Sequence, residues 1–206
     1  MLYSFDVKMD GKNACRLTDK KFQNHGNTVD MMGAGGIPVP VPDNFVEVLC
    51  RFLRECTEAH DKGGKPTRSW CKQPSGTPGE TNAMQRGKDI DACCEKKIND
   101  VKGRSKSEFA KTVKTQEWME VPGLGGSCKP DVVAGVPPNI FDFKTSCPPL
   151  PPSAPPPDWP VYGDGTGGTR ATKNKSWHGR SQGEVYEKAS GNTATMVHAN
   201  SEGCNP

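Results

Sequence analysis

"PPNIFDFKTS", residues 137–146, alternates two aromatic rings with an acid and a base. Successive side chains of a strand point to opposite faces. Phe141 and Phe143 would therefore share one face, and Asp142 and Lys144 the other. Burying the rings would aim a carboxylate and an ammonium together at whatever lies above the sheet. The spacing predicts a strand over Ile140–Thr145. A second short strand is expected near Asp131–Ala134, in "DVVAG". The four residues between Gly135 and Ile140 include two prolines, which suits a tight connection.

Helices are expected on either side of these strands. Asn44–His60 places Phe45, Val48, Leu49, Phe52, Leu53 and Cys56 three and four residues apart, one apolar stripe, with Asp43 or Asn44 as cap. Residues 61–80 carry "KGGKP" and "PSGTPG" and read as loop. A second helix is expected over Asn82–Val101. A third is announced by "SKSE", where Ser105 and Glu108 form a capping-box pattern, with Phe109, Val113 and Trp118 as apolar positions. Eight of the thirteen residues Pro148–Pro160 are proline, an extended, stiff insertion. It suits an ordered surface loop better than a ligand for a proline-binding module. Ser181–Ser190 repeats the capping box with Ser181 and Glu184 and has Gly191 where a helix ends. "TATMVHA", Thr193–Ala199, reads as a closing strand.

The chain has 206 residues, of which only 33% are hydrophobic, with 23 Gly and 19 Pro, so the core is modest and the connections are long. Basic residues outnumber acidic ones seven to three over Glu95–Lys114 and five to two over Arg170–Lys188. Faces of this kind suit a phosphate backbone or ordinary solvent. No stretch approaches the roughly 20 apolar residues of a membrane span. The start, "MLYSFDVKMDGK", has no apolar segment of the signal-peptide kind. Nine cysteines cannot all pair internally, and without a CxxC pair a zinc cluster is disfavoured. Disulfides are expected if the protein crosses an oxidising space. "GLGGSCKP" lacks the G-K-[ST] ending of a phosphate-binding loop.

From Ser105 onward the expected order is helix, a weak or absent strand near Glu120, strand, strand, helix, strand. "PD" at Pro130–Asp131, "DFK" at Asp142–Lys144 and "QGEVY" at Gln182–Tyr186 fall in that order. In this the chain resembles the PD-(D/E)xK nucleases, the restriction-endonuclease-like superfamily, over roughly residues 105–199. The resemblance implies an α/β (α+β) fold with a small mixed sheet flanked by helices. It implies a site of Asp131, Asp142 and Lys144, with Gln182 on the site or on the nucleic-acid backbone. A helix-borne glutamate completes the family's metal site. Glu108 is the choice here, and Glu95 and Glu117 remain candidates. The Trp177-His178 pair could stack on a base, and His178 is a weaker candidate general base.

The chemistry agrees with that assignment. Hydrolysing a phosphodiester needs a nucleophilic water and relief of negative charge, which Mg²⁺ or Mn²⁺ held by carboxylates supplies. If the strands are neighbours, Asp131 and Asp142 can share such an ion. Lys144 can orient or deprotonate the water, or offset charge on the phosphate.

Residues Phe5–Thr28 are similar to the end of the PAAR-like modules that tip type VI secretion spikes. That likeness implies a toxin delivered by contractile injection into the cytoplasm of a target bacterium, with a cognate immunity protein covering a basic cleft. The expected layout is a spike-like tail and linker over 1–43, a helical subdomain over 44–104, and a nuclease core over 105–206 with a Pro-rich insertion at 148–168. The expected activity is a Mg²⁺-dependent DNase with DNA as partner and no membrane contact. A secretion adaptor without activity, or an RNase on the same core, is the alternative.

Overall fold

The computed structural model describes residues 38–166, 168–201 and 204, and before them only the backbones of four short strands. These are β1 (Lys8–Met9) with β2 (Lys12–Asn13), and β3 (Lys20–Gln23) with β4 (Thr28–Met31), each pair antiparallel. Apart from those backbones, the stretch that resembles a spike tip lies outside the described residues.

The fold is α+β, a small mixed sheet with helices on both faces. α1 (Phe45–His60) buries Leu49, Phe52, Leu53 and Cys56, the stripe that the spacing predicts. α3 (Asn82–Arg104) packs beside it and buries Ile90, Cys94 and Ile98. Between them residues 61–80 are not all loop: a 3-10 turn over Asp61–Gly63 leads to the short α2 (Arg68–Lys72), capped by Thr67.

The third helix is far shorter than expected. α3 runs on to Arg104, and the Ser105 N–H closes it by bonding to the carbonyls of Val101 and Lys102. Ser105 is thus in use as a C-cap. Ser107 caps α4 (Glu108–Thr112) instead, accepting from the Ala110 N–H. The chain then turns extended into β5 (Lys114–Thr115), and Trp118 is exposed rather than apolar packing.

β8 (Val132–Ala134) and β9 (Asn139–Phe143) are the two predicted strands, paired antiparallel. Gly135, at φ +87, starts their connection in a conformation that a Cβ would strain. β5 extends the sheet beyond β8, and β12 (Thr195–Val197) lies parallel to β9, giving the order β12-β9-β8-β5. The strand expected near Glu120 is β6 (Met119–Glu120), paired with β7 (Ser127–Cys128) outside this sheet. β10 (Tyr162–Gly163) and β11 (Arg170–Ala171) form a further small parallel pair.

Alternation divides the core. Val132, Ala134, Phe141, Phe143 and Val197 face α1 and α3. Val133 and Ile140 face Val185 and Tyr186 of α5 (Gln182–Ser190). The helices of 44–104 are therefore one layer of the core they share with the sheet. α5 carries the complete Ser181–Glu184 capping box, and Gly191 follows at φ 75. No described helix is long and apolar enough to cross a membrane.

Three disulfides fasten the α1–α3 side: Cys50–Cys204, Cys56–Cys93 and Cys71–Cys147. Cys94 and Cys128 are buried free thiols. The Pro-rich insertion is anchored, since Asn200 Nδ2 donates to the carbonyls of Pro151 and Ala154.

Candidate active site

The β8–β9 register decides where the acids meet. Val132 pairs with Phe141, so one step further sets Asp131 opposite Asp142. Both side chains stand on the face away from Phe141. With Lys144, Gln182 and Tyr186 they line a cleft of about 610 Å³ between α3 and α5.

Asp142 is buried, and its Oδ1 accepts the Tyr186 hydroxyl at 2.7 Å. Gln182, also buried, donates its Nε2 to the same hydroxyl oxygen at 2.5 Å. Spacing of four on α5 puts Gln182 and Tyr186 on one face, so Gln182, Tyr186 and Asp142 form a chain. Asp142 Oδ2 makes an ion pair with the Lys144 ammonium, yet no donor meets it with hydrogen-bond geometry. The Gln182 Oε1 is likewise buried without a donor.

Asp131 is held from two sides. Its Oδ1 accepts from Gln116 Nε2 at 2.7 Å and its Oδ2 from the Phe143 N–H at 2.7 Å. Burial raises its pKa, against the pull of Lys144 and of these two donors. On the opposite wall α3 contributes Asp91 and Glu95. Burial, and then the Asp131 charge, push Asp91 up to about 7. Burial brings Lys144 down to about 8, a shift that Asp131 opposes. All three shifts are led by burial, which disfavours the charged form of acid and base alike, as expected of titratable groups drawn together in a partly desolvated cleft.

Four of the five expected residues stand in this cleft: Asp131, Asp142, Lys144 and Gln182. Glu108 does not. It opens α4, is 76% exposed and pairs with Lys111. It does open the helix nearest the strands, the ground for choosing it, but its side chain is turned to solvent. Glu117 is also turned away, paired with Lys114. Glu95 does reach the cleft wall, where its carboxylate accepts from the Thr115 hydroxyl at 3.0 Å. Trp177 is buried, its indole N–H bonded to the Gly125 carbonyl, and His178 contacts the Thr172 carbonyl; neither lines the cleft.

Asp91 was not foreseen. A signal exists: Asp91 and Glu95 each follow a core position of the Ile90–Cys94–Ile98 stripe, so they edge the buried face four residues apart. Of the two basic runs, 170–188 brings Arg170 to the cleft rim, beside Lys129 and the Glu80-paired Lys88, whereas Lys97, Lys111 and Lys114 of the 95–114 run pair with nearby glutamates.

The donor chemistry suits a hard cation. Gln182 Oε1 is a buried oxygen without a donor, Asp142 Oδ2 has only the Lys144 ammonium against it, and the Asp131 charge helps to raise the Asp91 pKa. Among the described residues no group of three or more His, Cys, Asp or Glu side chains is placed to hold a metal ion. Mg²⁺ does not require such a group, since it is commonly held by one or two carboxylates and keeps several waters. No family model, curated protein or solved structure matches this chain.

Proposed function

We propose that the chain is a metal-dependent phosphodiester hydrolase acting on DNA. The observation that carries this reading is the convergence of Asp131, Asp142 and Lys144 from paired strands upon one open cleft, faced by Asp91 and rimmed by lysine and arginine. Asp131 and Asp142 are the residues to hold Mg²⁺ or Mn²⁺, with Asp91 as the helix-borne acid. The ion would supply Lewis acidity and neutralise charge on the phosphate.

The residues divide the remaining work. A water oxygen forms the new bond to phosphorus as the bond to a sugar oxygen breaks. The Lys144 amine, with its pKa near 8, takes the proton leaving the water. The departing sugar oxygen takes one from solvent. Gln182 and Tyr186 fix Asp142 Oδ1, and Oδ2 lies against the Lys144 ammonium. Gln116 and the Phe143 N–H fix Asp131. Lys88, Lys129 and Arg170 attract the phosphate backbone.

Supercoiled plasmid should be cut in Mg²⁺ and left intact in EDTA. Lys144→Ala should cost about 10²–10⁴-fold in rate, and Asp142→Asn should abolish cleavage, both with unchanged circular dichroism. Cutting that persists in Asp142→Asn, or in EDTA, rules the reading out.

The same proposal extends to biology: an antibacterial toxin carried on a contractile spike through its first residues and neutralised by an acidic immunity protein seated over the cleft. Its support is the likeness of Phe5–Thr28 to spike-tip modules. Expression in a bacterial cytoplasm should halt growth, and Asp142→Asn should relieve it. Arrest that survives the substitution would favour an adaptor instead.

A further inference from the structure

Trp118 is the most exposed large hydrophobic side chain among the described residues, at 67%. It does not stand on an arbitrary surface. It lines the cleft that holds Asp131, Asp142 and Lys144. The Lys129 ammonium lies 5.8 Å from its ring, so the indole sits within the basic rim.

The backbone that presents it is unusual. Gln116 takes φ +53, a left-handed conformation that non-glycine residues seldom adopt. Its side chain bonds Asp131 Oδ1 at 2.7 Å, and its N–H bonds the Asp131 carbonyl at 3.1 Å. The segment leaving β5 is thereby fastened to a candidate metal ligand. Trp118, two residues on, is held at a set place beside that ligand and not on a free loop. An exposed indole pinned next to a cleft and flanked by a cation offers what an unpaired base needs: an aromatic face, and positive charge for the adjoining phosphate.

We propose that Trp118 is a stacking platform for an unpaired nucleobase, so that the substrate is a single strand, or a strand with one base turned out, whose neighbouring phosphate reaches Asp142. This rests on the reading of the cleft as a phosphodiester-cleaving site. Bases within an intact duplex keep their faces covered by their neighbours, and the indole would not find them. A cleft of about 610 Å³ is within the range that encloses a ligand of nucleotide size.

The test uses the full chain carrying Asp142→Asn, without metal, and fluorescein-labelled 12-residue oligonucleotides read by anisotropy. Three probes are compared: a single strand, a blunt duplex, and a single strand with abasic sugars at its centre. Single strand should bind tightest. Trp118→Ala should weaken it on the order of ten-fold or more, leave the duplex within two-fold, and have little effect on the abasic strand. Trp118→Phe should keep most of the affinity. Equal losses on all three probes, or no loss on the single strand, overturn the inference; an indole reserved for a protein partner gives the second result. Mg²⁺-dependent cleavage of the labelled single strand and of plasmid by the otherwise native chain, run in parallel, separates the two ideas. If Mg²⁺-dependent cutting is present and Trp118→Ala changes no affinity, stacking alone is refuted. If cutting is absent, the underlying reading falls and takes this inference with it.

Discussion

The two faces of the sheet are held by different means. Toward α1 and α3 the contacts are largely aliphatic and phenylalanine, and the three disulfides fasten this side: α1 to α3, α1 to the chain end, and α2 to the segment after β9. Toward α5 there is no disulfide among the described residues. The packing there is aromatic: Trp159 meets Tyr186 edge to face, and Tyr162 leans on Trp177. Buried polar groups also run through that side, from Gln182 to Tyr186 to Asp142. Covalent closure thus sits opposite the Gln182–Tyr186–Asp142 chain, while the disulfide side holds its own buried charge, Arg86, by pairing it with Asp61. A buried carboxylate and amide stay in place because the scaffold behind them has little freedom to rearrange.

The largest effect should come from removing that covalent closure. The bonds join residues 154, 37 and 76 positions apart, and each native disulfide of this kind contributes about 2–5 kcal/mol. Full reduction, verified by thiol titration, should lower the thermal midpoint by about 15 °C or more. It should open the α1–α3 face before α5 loses its capped turn. An unchanged midpoint would mean that packing alone holds both faces, and the contrast between them would lose its energetic meaning.

That contrast also sorts what was legible in the sequence. α1 and α5 could be read because their signals are local: a stripe at spacings of three and four in one, a reciprocal cap and a C-terminal glycine in the other. Asp142 and Lys144 could be read because the pleat alone sets their face. The pairing of the cysteines could not, since it depends on which helices meet. α4 was misjudged because "SKSE" offers two hydroxyls, and only the true end of α3 decides that Ser107 rather than Ser105 is free to cap. Glu108 still opens α4, but on so short a helix its side chain turns to solvent and pairs with Lys111. Asp91 stays hidden in the sequence because its role comes from the approach of α3 to Asp131, a long-range contact that leaves only a spacing of four on its own helix.

A smaller effect should appear on titration. Asp91 has a folded pKa of about 7, above its ordinary value of 3.8, with Asp131 and Lys144 as its charged neighbours. Between these two values the unfolded chain has released the proton that the folded chain still holds. Stability should therefore fall as pH rises from about 4 to about 7, and Asp131, whose pKa is also raised, acts in the same direction. Lys144, lowered to about 8, should return stability only as pH climbs beyond that value. Asp91→Asn should flatten the fall in urea midpoint between pH 4.5 and 7. Millimolar Mg²⁺ should raise the midpoint of the unsubstituted chain more at pH 7.5 than at pH 5, because a cation binds the ionised acids. Identical slopes with and without the substitution would place the strain elsewhere in the cleft.

The smallest effect distinguishes two contributions at one residue. Gln116 combines a left-handed backbone with a bond to Asp131, and these pull stability in opposite directions. The conformation costs an L-residue about 1–2 kcal/mol, and the bond to a carboxylate returns about 1.5–3 kcal/mol. Gln116→Ala keeps the strain and loses the bond. Gln116→Gly loses the bond and releases the strain, at some cost in chain entropy. The glycine variant should therefore be the more stable of the two by up to about 1 kcal/mol, while both lose Mg²⁺-dependent cleavage to a similar extent because Asp131 keeps only the Phe143 N–H in each. If cleavage instead followed stability, with glycine well above alanine, Gln116 would matter for shaping the chain path to Trp118 and not for holding the acid. The side of the sheet that lacks disulfides would then owe its order at this point to backbone geometry alone.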